Sequence, residues 1–412
     1  MQHCLTIVIR RFLSGFACGL VFQVLLSANT TSRVPRIPQD RAVCQQNQLA
    51  PNFLVVGGGG APSYNEIALE KNILYFQRTL RAMGYNPEKI ASTFFANGND
   101  GQTTVRYIDN QGRQQFKVPE IPNLNGAATL PNVNSYFQQT AQQNSNPLFF
   151  YFTGHGGKNN QDLNNNSLYL WNEQQLSVKQ LAQMLDRMPP KTPVVAMMAQ
   201  CFSGSFANFI YEGGDPKLPV ALQTRCGFFA TIKTLPSVGC TPEVNEADYR
   251  DYSSSFFAGL SGRDRTGKAV TSADYNRDGR VSYAEAHAFA KVDEQSIDLP
   301  ISTSEAWIQS KSKQQQVILN QPITHLLKTA RPEQIYVVTS LLKLFGLDGQ
   351  KSFMKNLLSA SIKTDEQQAY LTRLRMELID IGSEKQLRAL GNQKDIATLD
   401  RLVKCESSSW GK

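Results

Sequence analysis

The sequence predicts an α/β fold, with a mainly parallel sheet sandwiched between helices and a small all-α C-terminal region after it. Three observations predict this. Short apolar runs end in glycine-rich turns, segments of helical spacing lie between those runs, and from about Gln309 to Lys404 only helical patterns remain. Strands alternating with helices are the mark of a doubly wound sheet with helices on both faces.

The first strand is Phe53-Leu54-Val55-Val56, an apolar run that stops at Gly57-Gly58-Gly59-Gly60. A run of that kind, apolar on both faces, fits a buried strand with a tight turn at its carboxyl end. From Asn65 to Met83 the residues Ile67, Ile73, Leu74, Phe76, Leu80 and Met83 recur at helical spacing. Ser92 to Ala96 is a second strand, ended by the turn Asn97 to Gly101, and Pro147 to Phe152 is a third, broken at Gly154. A hairpin is expected around Ser167 to Trp171, then a helix over Val178 to Met188, a strand over Val194 to Met198 and another over Gly227 to Ile232. The polar clusters Gln138 to Asn146 and Asn159 to Asn166 read as loops. In the C-terminal region, Val317-Ile318-Leu319, Leu326-Leu327 and Val337 to Leu344 carry the apolar stripes. The glycine run does not make a dinucleotide motif, because the GxGxxG frame from Gly57 puts Pro62 at the third glycine.

At 412 residues the chain exceeds one ordinary core, which suggests a large domain with a smaller appendage. The net charge of +8 comes from scattered Lys and Arg without interleaved aromatics, so nucleic acid is not an expected partner. Arg10 and Arg11 precede the apolar stretch Phe12 to Leu26, and Ser27-Ala28 offers a small-residue cleavage site, the layout of an export signal. The expected division is therefore a signal peptide or anchor over 1–28, a linker over 29–49, a catalytic domain over 50–300 and a helical domain over 309–405. Export places the protein in a periplasmic or extracellular compartment, and a membrane partner enters only if the N-terminal segment stays as an uncleaved anchor. With Cys201 kept free, Cys44, Cys226, Cys240 and Cys405 are even in number and could pair in three ways, of which Cys226 with Cys240 and Cys44 with Cys405 is the preferred expectation. No CxxC spacing occurs and only four histidines are present, so zinc is not expected. No organic cofactor is expected either.

Two strand ends carry the chemistry. Pro147 to Phe152, followed by Thr153-Gly154-His155-Gly156-Gly157, delivers a histidine, and Pro193 to Met198, followed by Ala199-Gln200-Cys201-Phe202-Ser203-Gly204-Ser205, delivers a cysteine. About 45 residues separate them, room for a hairpin and a crossover helix, so the strands can be parallel neighbours. Both side chains would then leave the carboxyl edge, where open α/β sheets place their sites. A thiol with an ordinary pKa of about 8.5 is mostly protonated at neutral pH and needs a base beside it. His155 would accept the Cys201 proton and later protonate a leaving amine. The backbone N–H groups of Gly156 and Cys201 could hold the developing oxyanion. His287 and His325, both in expected helices, are read as structural.

At these residues the chain resembles the caspase and legumain clan of cysteine peptidases. Their pattern is an apolar strand ending in His-Gly, then an apolar strand ending in a small residue, one further residue and Cys. Cys201-Phe202-Ser203-Gly204-Ser205 is most similar to the legumain branch, which carries Cys-x-Ser-Gly-Ser. The resemblance extends over Asn52 to about Asp298 and implies a caspase-like sandwich, a Cys201–His155 dyad, Gly156 as oxyanion donor and a peptide or protein substrate. The Gly57 to Asn65 segment departs from that pattern, with no counterpart placed for the arginine by which legumains bind an asparagine side chain or for the asparagine that orients their histidine, so asparagine specificity does not follow from the resemblance. A helical C-terminal prodomain is also part of the legumain pattern, so the segment after Gln309 could act as an autoinhibitory cap. The activity implied is an endopeptidase working through an acyl-enzyme on Cys201. A transpeptidase or ligase of the same fold and a catalytically silent calcium-dependent binding module are the alternatives.

Asp274-Tyr275-Asn276-Arg277-Asp278-Gly279-Arg280-Val281-Ser282-Tyr283-Ala284-Glu285 matches the twelve-residue EF-hand loop. Asp274, Asn276, Asp278, Arg280 (through its carbonyl), Ser282 and Glu285 are the expected ligands, Gly279 makes the sharp turn and Val281 packs inward. The entering segment, Gly262 to Ser272, is a poor helix and no second loop pairs with it, so structural calcium is expected.

Overall fold

A computed structural model describes residues 51–142, 146–358 and 360–410. The expected export segment, the linker and Cys44 lie outside the described residues. The strands are β1 (Asn52–Gly58), β2 (Ala91–Phe95), β3 (Val105–Ile108), β4 (Gln114–Lys117), β5 (Leu148–Gly154), β6 (Gly156–Gly157), β7 (Ser167–Leu170), β8 (Gln174–Ser177), β9 (Val194–Ala199), β10 (Arg225–Phe229) and β11 (Ile301–Ser302). Six of them form the central sheet in the order β11-β10-β9-β5-β1-β2. All its pairings are parallel except β10 with the two-residue edge strand β11. The expected α/β class, a mainly parallel sheet between helices, is the fold found.

Alternate residues of the buried strands face opposite layers, as the two-residue period of a strand requires. Leu54, Val56, Phe150, Phe152, Ala196 and Met198 point into one core. There they meet Val133 and Phe137 of the helix Leu130–Gln142, and Val178, Leu181 and Leu185 of the helix Val178–Asp186. Phe53, Val55, Phe149, Tyr151, Val195 and Met197 point into the other. Ile73, Phe76 and Leu80 of the helix Ile67–Ala82 and Phe256, Phe257 and Leu260 of the helix Tyr252–Ser261 cover that face. Every residue of β5 is buried, which suits the central strand of such a sheet.

Three elements differ from expectation. Gln138 to Gln142, read as loop, belong to the helix Leu130–Gln142, whose Val133, Phe137 and Thr140 form a narrow inward stripe. The hairpin β3–β4 and the helix Tyr252–Ser261 carry no sequence pattern that announced them. The helix is buried from Tyr252 to Leu260, so it lacks the one-sided stripe by which surface helices are recognised.

The C-terminal region is helical, as expected, and it shares the central cores. The described residues pack as one compact unit. Leu399 and Leu402 of the helix Gln393–Glu406 enter the first core, and Trp410 lies in the second with its ring 4.9 Å from Phe53. Arg373, on the helix Asp365–Leu390, is buried and donates to the carbonyls of Lys291, Glu294, Ser296 and Asp298. Among the described residues no helix is long and apolar enough to cross a membrane.

The preferred disulfide pairing is corrected. Cys226 bonds to Cys405, leaving Cys201 and Cys240 as free thiols. Cys226 lies inside β10, against which the helix Gln393–Glu406 packs, with a Cα–Cα distance of 6.0 Å to Cys405. Cys240 has already crossed to the carboxyl edge of the sheet, with its Sγ 3.8 Å from the carbonyl of Gly154.

Candidate active site at the carboxyl edge of the sheet

Strands β5 and β9 pair in parallel with Thr153 opposite Ala199. His155 and Cys201 each follow two residues later, so the register brings the two expected catalytic residues to matching positions on one edge. The loops behind them touch directly. A Cβ on Gly156 would lie 2.0 Å from the carbonyl oxygen of Cys201, so only glycine permits this approach. Beyond Cys201 the chain turns sharply: Phe202 adopts a left-handed φ of 58°, and the short 3-10 helix Ser203–Ile210 follows. Gly204 donates its N–H to Thr231 O at 2.8 Å and Phe202 donates to Leu235 O at 2.9 Å, which fixes the turn against the segment after β10.

The Cys201 thiol is pushed up by its burial. The N–H of Ser237 opposes this, the negative charge of Asp298 adds to it, and the N–H groups of Cys201 and Gly156 also favour the thiolate. Ser237 N donates to Cys201 Sγ at 3.3 Å. That donor is itself held in place, because Asp298 accepts from Ser237 Oγ at 2.6 Å and from Val238 N at 3.0 Å. Gly156, whose N–H is the expected oxyanion donor, thus acts on the sulfur in the same sense as the Ser237 turn.

His155 has a partner that sequence reasoning missed. Its Nε2 lies 2.9 Å from Oε2 of Glu66, whose other oxygen accepts from Arg106 at 2.7 Å. Glu66 is the N-cap of the helix Ile67–Ala82, yet its side chain makes no capping bond. The carboxylate is instead turned to the site, beside the positive end of the helix dipole. Burial would raise its pKa, but the hydrogen bonds from His155 and Arg106 outweigh that and hold it below the usual range. Acidic residues are common in first helical turns, so nothing in the sequence distinguished Glu66. With Nε2 given to Glu66, Nδ1 is the imidazole atom available for proton exchange. Tyr64 stands edge-on to the ring at 5.3 Å.

Cys240 completes the cluster. Among the described residues, the group of three His, Cys, Asp or Glu side chains whose ligand atoms lie within 4.8 Å of one another is Glu66, His155 and Cys240.

The expected calcium ligands lie elsewhere. Gly279 has the expected turn geometry, with φ of 86°, and Val281 packs with Ala258, Ala273 and Phe289. Asp274 accepts from Asp278 N and Gly279 N, Asn276 from Asp278 N, and Asp278 from Arg280 N, at 2.8 to 3.1 Å. Glu285 accepts from Tyr275 N and Asn276 N through one oxygen and from Ser282 through the other, forming a capping box for the helix Tyr283–Asp293. The loop thus has the EF-hand turn, while its carboxylates are engaged by loop N–H groups. The two other histidines among the described residues lie away from the site. His287 is buried between Tyr252 and Glu305, and His325 lies beside Lys385 on the surface.

No family model matches the chain, and no curated protein matches it. Among solved structures it is similar to a protein of Geobacter sulfurreducens at 12% identity, over 61% of this chain and 92% of that one, with a TM-score of 0.38. It is also similar to caspase-1 from Spodoptera frugiperda at 14% identity, over 55% of this chain and 76% of that one, with a TM-score of 0.30. Neither likeness assigns an activity.

Proposed function

We propose that the chain is a cysteine endopeptidase in which Cys201 attacks the peptide carbonyl and His155 moves the protons. The observation that carries this reading is the register of β5 and β9, which sets the His155 and Cys201 positions side by side with Gly156 against the Cys201 backbone. In the reaction, the Cys201 proton passes to His155 as sulfur bonds to the carbonyl carbon. The oxyanion is held by the N–H groups of Gly156 and Cys201. His155 then protonates the departing amine, leaving a thioester, and deprotonates the water that hydrolyses it. Burial keeps the resting thiol protonated, so the proton leaves during attack. Glu66 orients the imidazole and stabilises it when charged, the role a carboxylate takes beside a catalytic histidine.

Export to a periplasmic or extracellular compartment and structural calcium in the 274–285 loop belong to the same proposal. The test is a peptide-library cleavage profile of the purified protein. Wild-type protein should cut internal bonds with a defined preference before the scissile bond, and Cys201→Ala and His155→Ala should each lose turnover by at least about a thousandfold with unchanged circular dichroism. Products joined to an added amine would identify a transpeptidase, and undiminished cleavage by Cys201→Ala would overturn the reading.

A further inference from the structure

We propose that Glu66, His155 and Cys240 form a binding site for a zinc-class divalent cation, and that its occupancy takes His155 out of proton transfer. The three residues are far apart in sequence and arrive on different elements. Glu66 comes from the N-terminus of the helix Ile67–Ala82, His155 from the end of β5, and Cys240 from the segment that crosses the sheet edge after β10. The crossing is fixed by the backbone: Ala68 N donates to Thr241 O at 3.3 Å and Ile108 N donates to Pro242 O at 2.9 Å. That convergence explains why the spacing of cysteines and histidines gave no sign of zinc.

The donor set is one thiol sulfur, one imidazole nitrogen and one carboxylate oxygen, with all three ligand atoms within 4.8 Å. Zinc bonds of about 2.0–2.3 Å place tetrahedral ligand atoms roughly 3.3–3.8 Å apart, so side-chain adjustments of about 1 Å bring them into position. A mixed S, N, O set selects zinc over calcium or magnesium, which prefer all-oxygen shells. Supporting contacts are already present. Arg106 holds the outer Glu66 oxygen at 2.7 Å, as outer-shell partners of metal ligands do. The sulfur of Cys240 makes a long contact to the Gly154 carbonyl at 3.8 Å, and the His155 side chain is 23% exposed, so water can supply the fourth ligand.

On binding, the metal–sulfur bond replaces the S–H bond of Cys240 and the proton leaves to solvent. The metal also replaces the hydrogen bond between Glu66 and His155, and the imidazole N–H resides on the other ring nitrogen. No redox change is involved. The loss of catalysis rests on the peptidase reading, whereas the binding site does not.

The experiment titrates the full chain with Co²⁺ and Zn²⁺. Wild-type protein should bind one Co²⁺ with a thiolate-to-cobalt charge-transfer band and tetrahedral visible bands, displaced by Zn²⁺. Cys201→Ala, which lacks the proposed nucleophile, should keep both. Cys240→Ser should lose the charge-transfer band and weaken zinc binding at least tenfold, and Glu66→Gln should weaken it while keeping the band. Zinc should also raise the melting temperature of wild-type protein and of Cys201→Ala, but not of Cys240→Ser. If Cys240→Ser retains peptide cleavage, that cleavage should resist zinc at concentrations at least tenfold higher. A band that survives in Cys240→Ser, or that disappears in Cys201→Ala, would overturn the site. Because cobalt binding is read without turnover, a protein that binds metal but cleaves nothing even when metal-free refutes the peptidase reading and leaves this one standing.

Discussion

Cys201 is pulled in opposite directions by its neighbours. Burial and the charge of Asp298 favour the thiol, whereas the N–H groups of Ser237, Cys201 and Gly156 favour the thiolate. Asp298 enters on both sides, since its carboxylate also positions the Ser237 turn. Burial pushes Asp298 up to about 6, with the Ser237 and Val238 bonds opposing, so near pH 7 it is mostly charged. Asp298→Asn removes that charge and keeps one acceptor oxygen. The pH midpoint of iodoacetamide alkylation at Cys201 should therefore move downward, and an unmoved midpoint would deny the coupling. The sign for stability follows from the raised pKa. The group's contribution is fully present below its unfolded pKa of about 3.9 and is lost as pH rises through about 6, a loss that Asp298→Asn should not show. Cys201 and His155 were legible in sequence because each ends an uninterrupted apolar run with glycines beside it. Glu66, Ser237, Asp298 and Cys240 were not, because their roles come from side chains that meet only after folding.

The strand pair β5 and β9 was legible for the same reason as its terminal residues: buried parallel strands read as continuous apolar runs. The helix Tyr252–Ser261 was not, since Ser253, Ser254 and Ser255 are buried along with Phe256 and Phe257, and a Cβ on Gly259 would meet Phe289 Cβ at 2.8 Å. Close packing of that kind leaves no periodic signal. The 274–285 loop shows the limit of a local motif. Its turn is the expected one, yet the same carboxylates that would bind calcium accept bonds from the loop and cap the next helix. Calcium must draw Asp274, Asp278 and Glu285 together against those contacts. At a hundredfold excess over Kd it would add about 2.7 kcal/mol of stability. A rise in melting temperature with millimolar calcium, lost in Asp274→Ala, is the expected outcome. Equal melting in calcium and EDTA would leave the loop as a self-bonded turn.

Over the whole molecule, the helical C-terminal region acts as a brace. Arg373 grips four carbonyls between Lys291 and Asp298, and Asp298 in turn holds the turn that faces Cys201. Glu406 accepts from Thr303 Oγ1 at 2.8 Å and Ser304 N at 2.6 Å, and Cys405 is bonded to β10 across 179 residues of sequence. The helical stripes after Gln309 were legible, but their destination was not, because periodicity identifies an apolar face without its partner. Deleting residues 309–412 is accordingly expected to give insoluble or inactive protein. Soluble protein with raised activity would instead favour the autoinhibitory cap. Cys405→Ser should lower stability by about 2–5 kcal/mol in chemical denaturation, because the bond closes a long loop.

The most direct measurement is active-site labelling of the intact chain with an electrophilic peptide ketone, mapped by mass spectrometry. One label per chain is expected, on Cys201, at a rate that falls at least about a hundredfold in His155→Ala while that variant melts as wild type does. Labelling of Cys240 in place of Cys201, or an unchanged rate in His155→Ala, would contradict the assignment of Cys201 as a nucleophile served by His155.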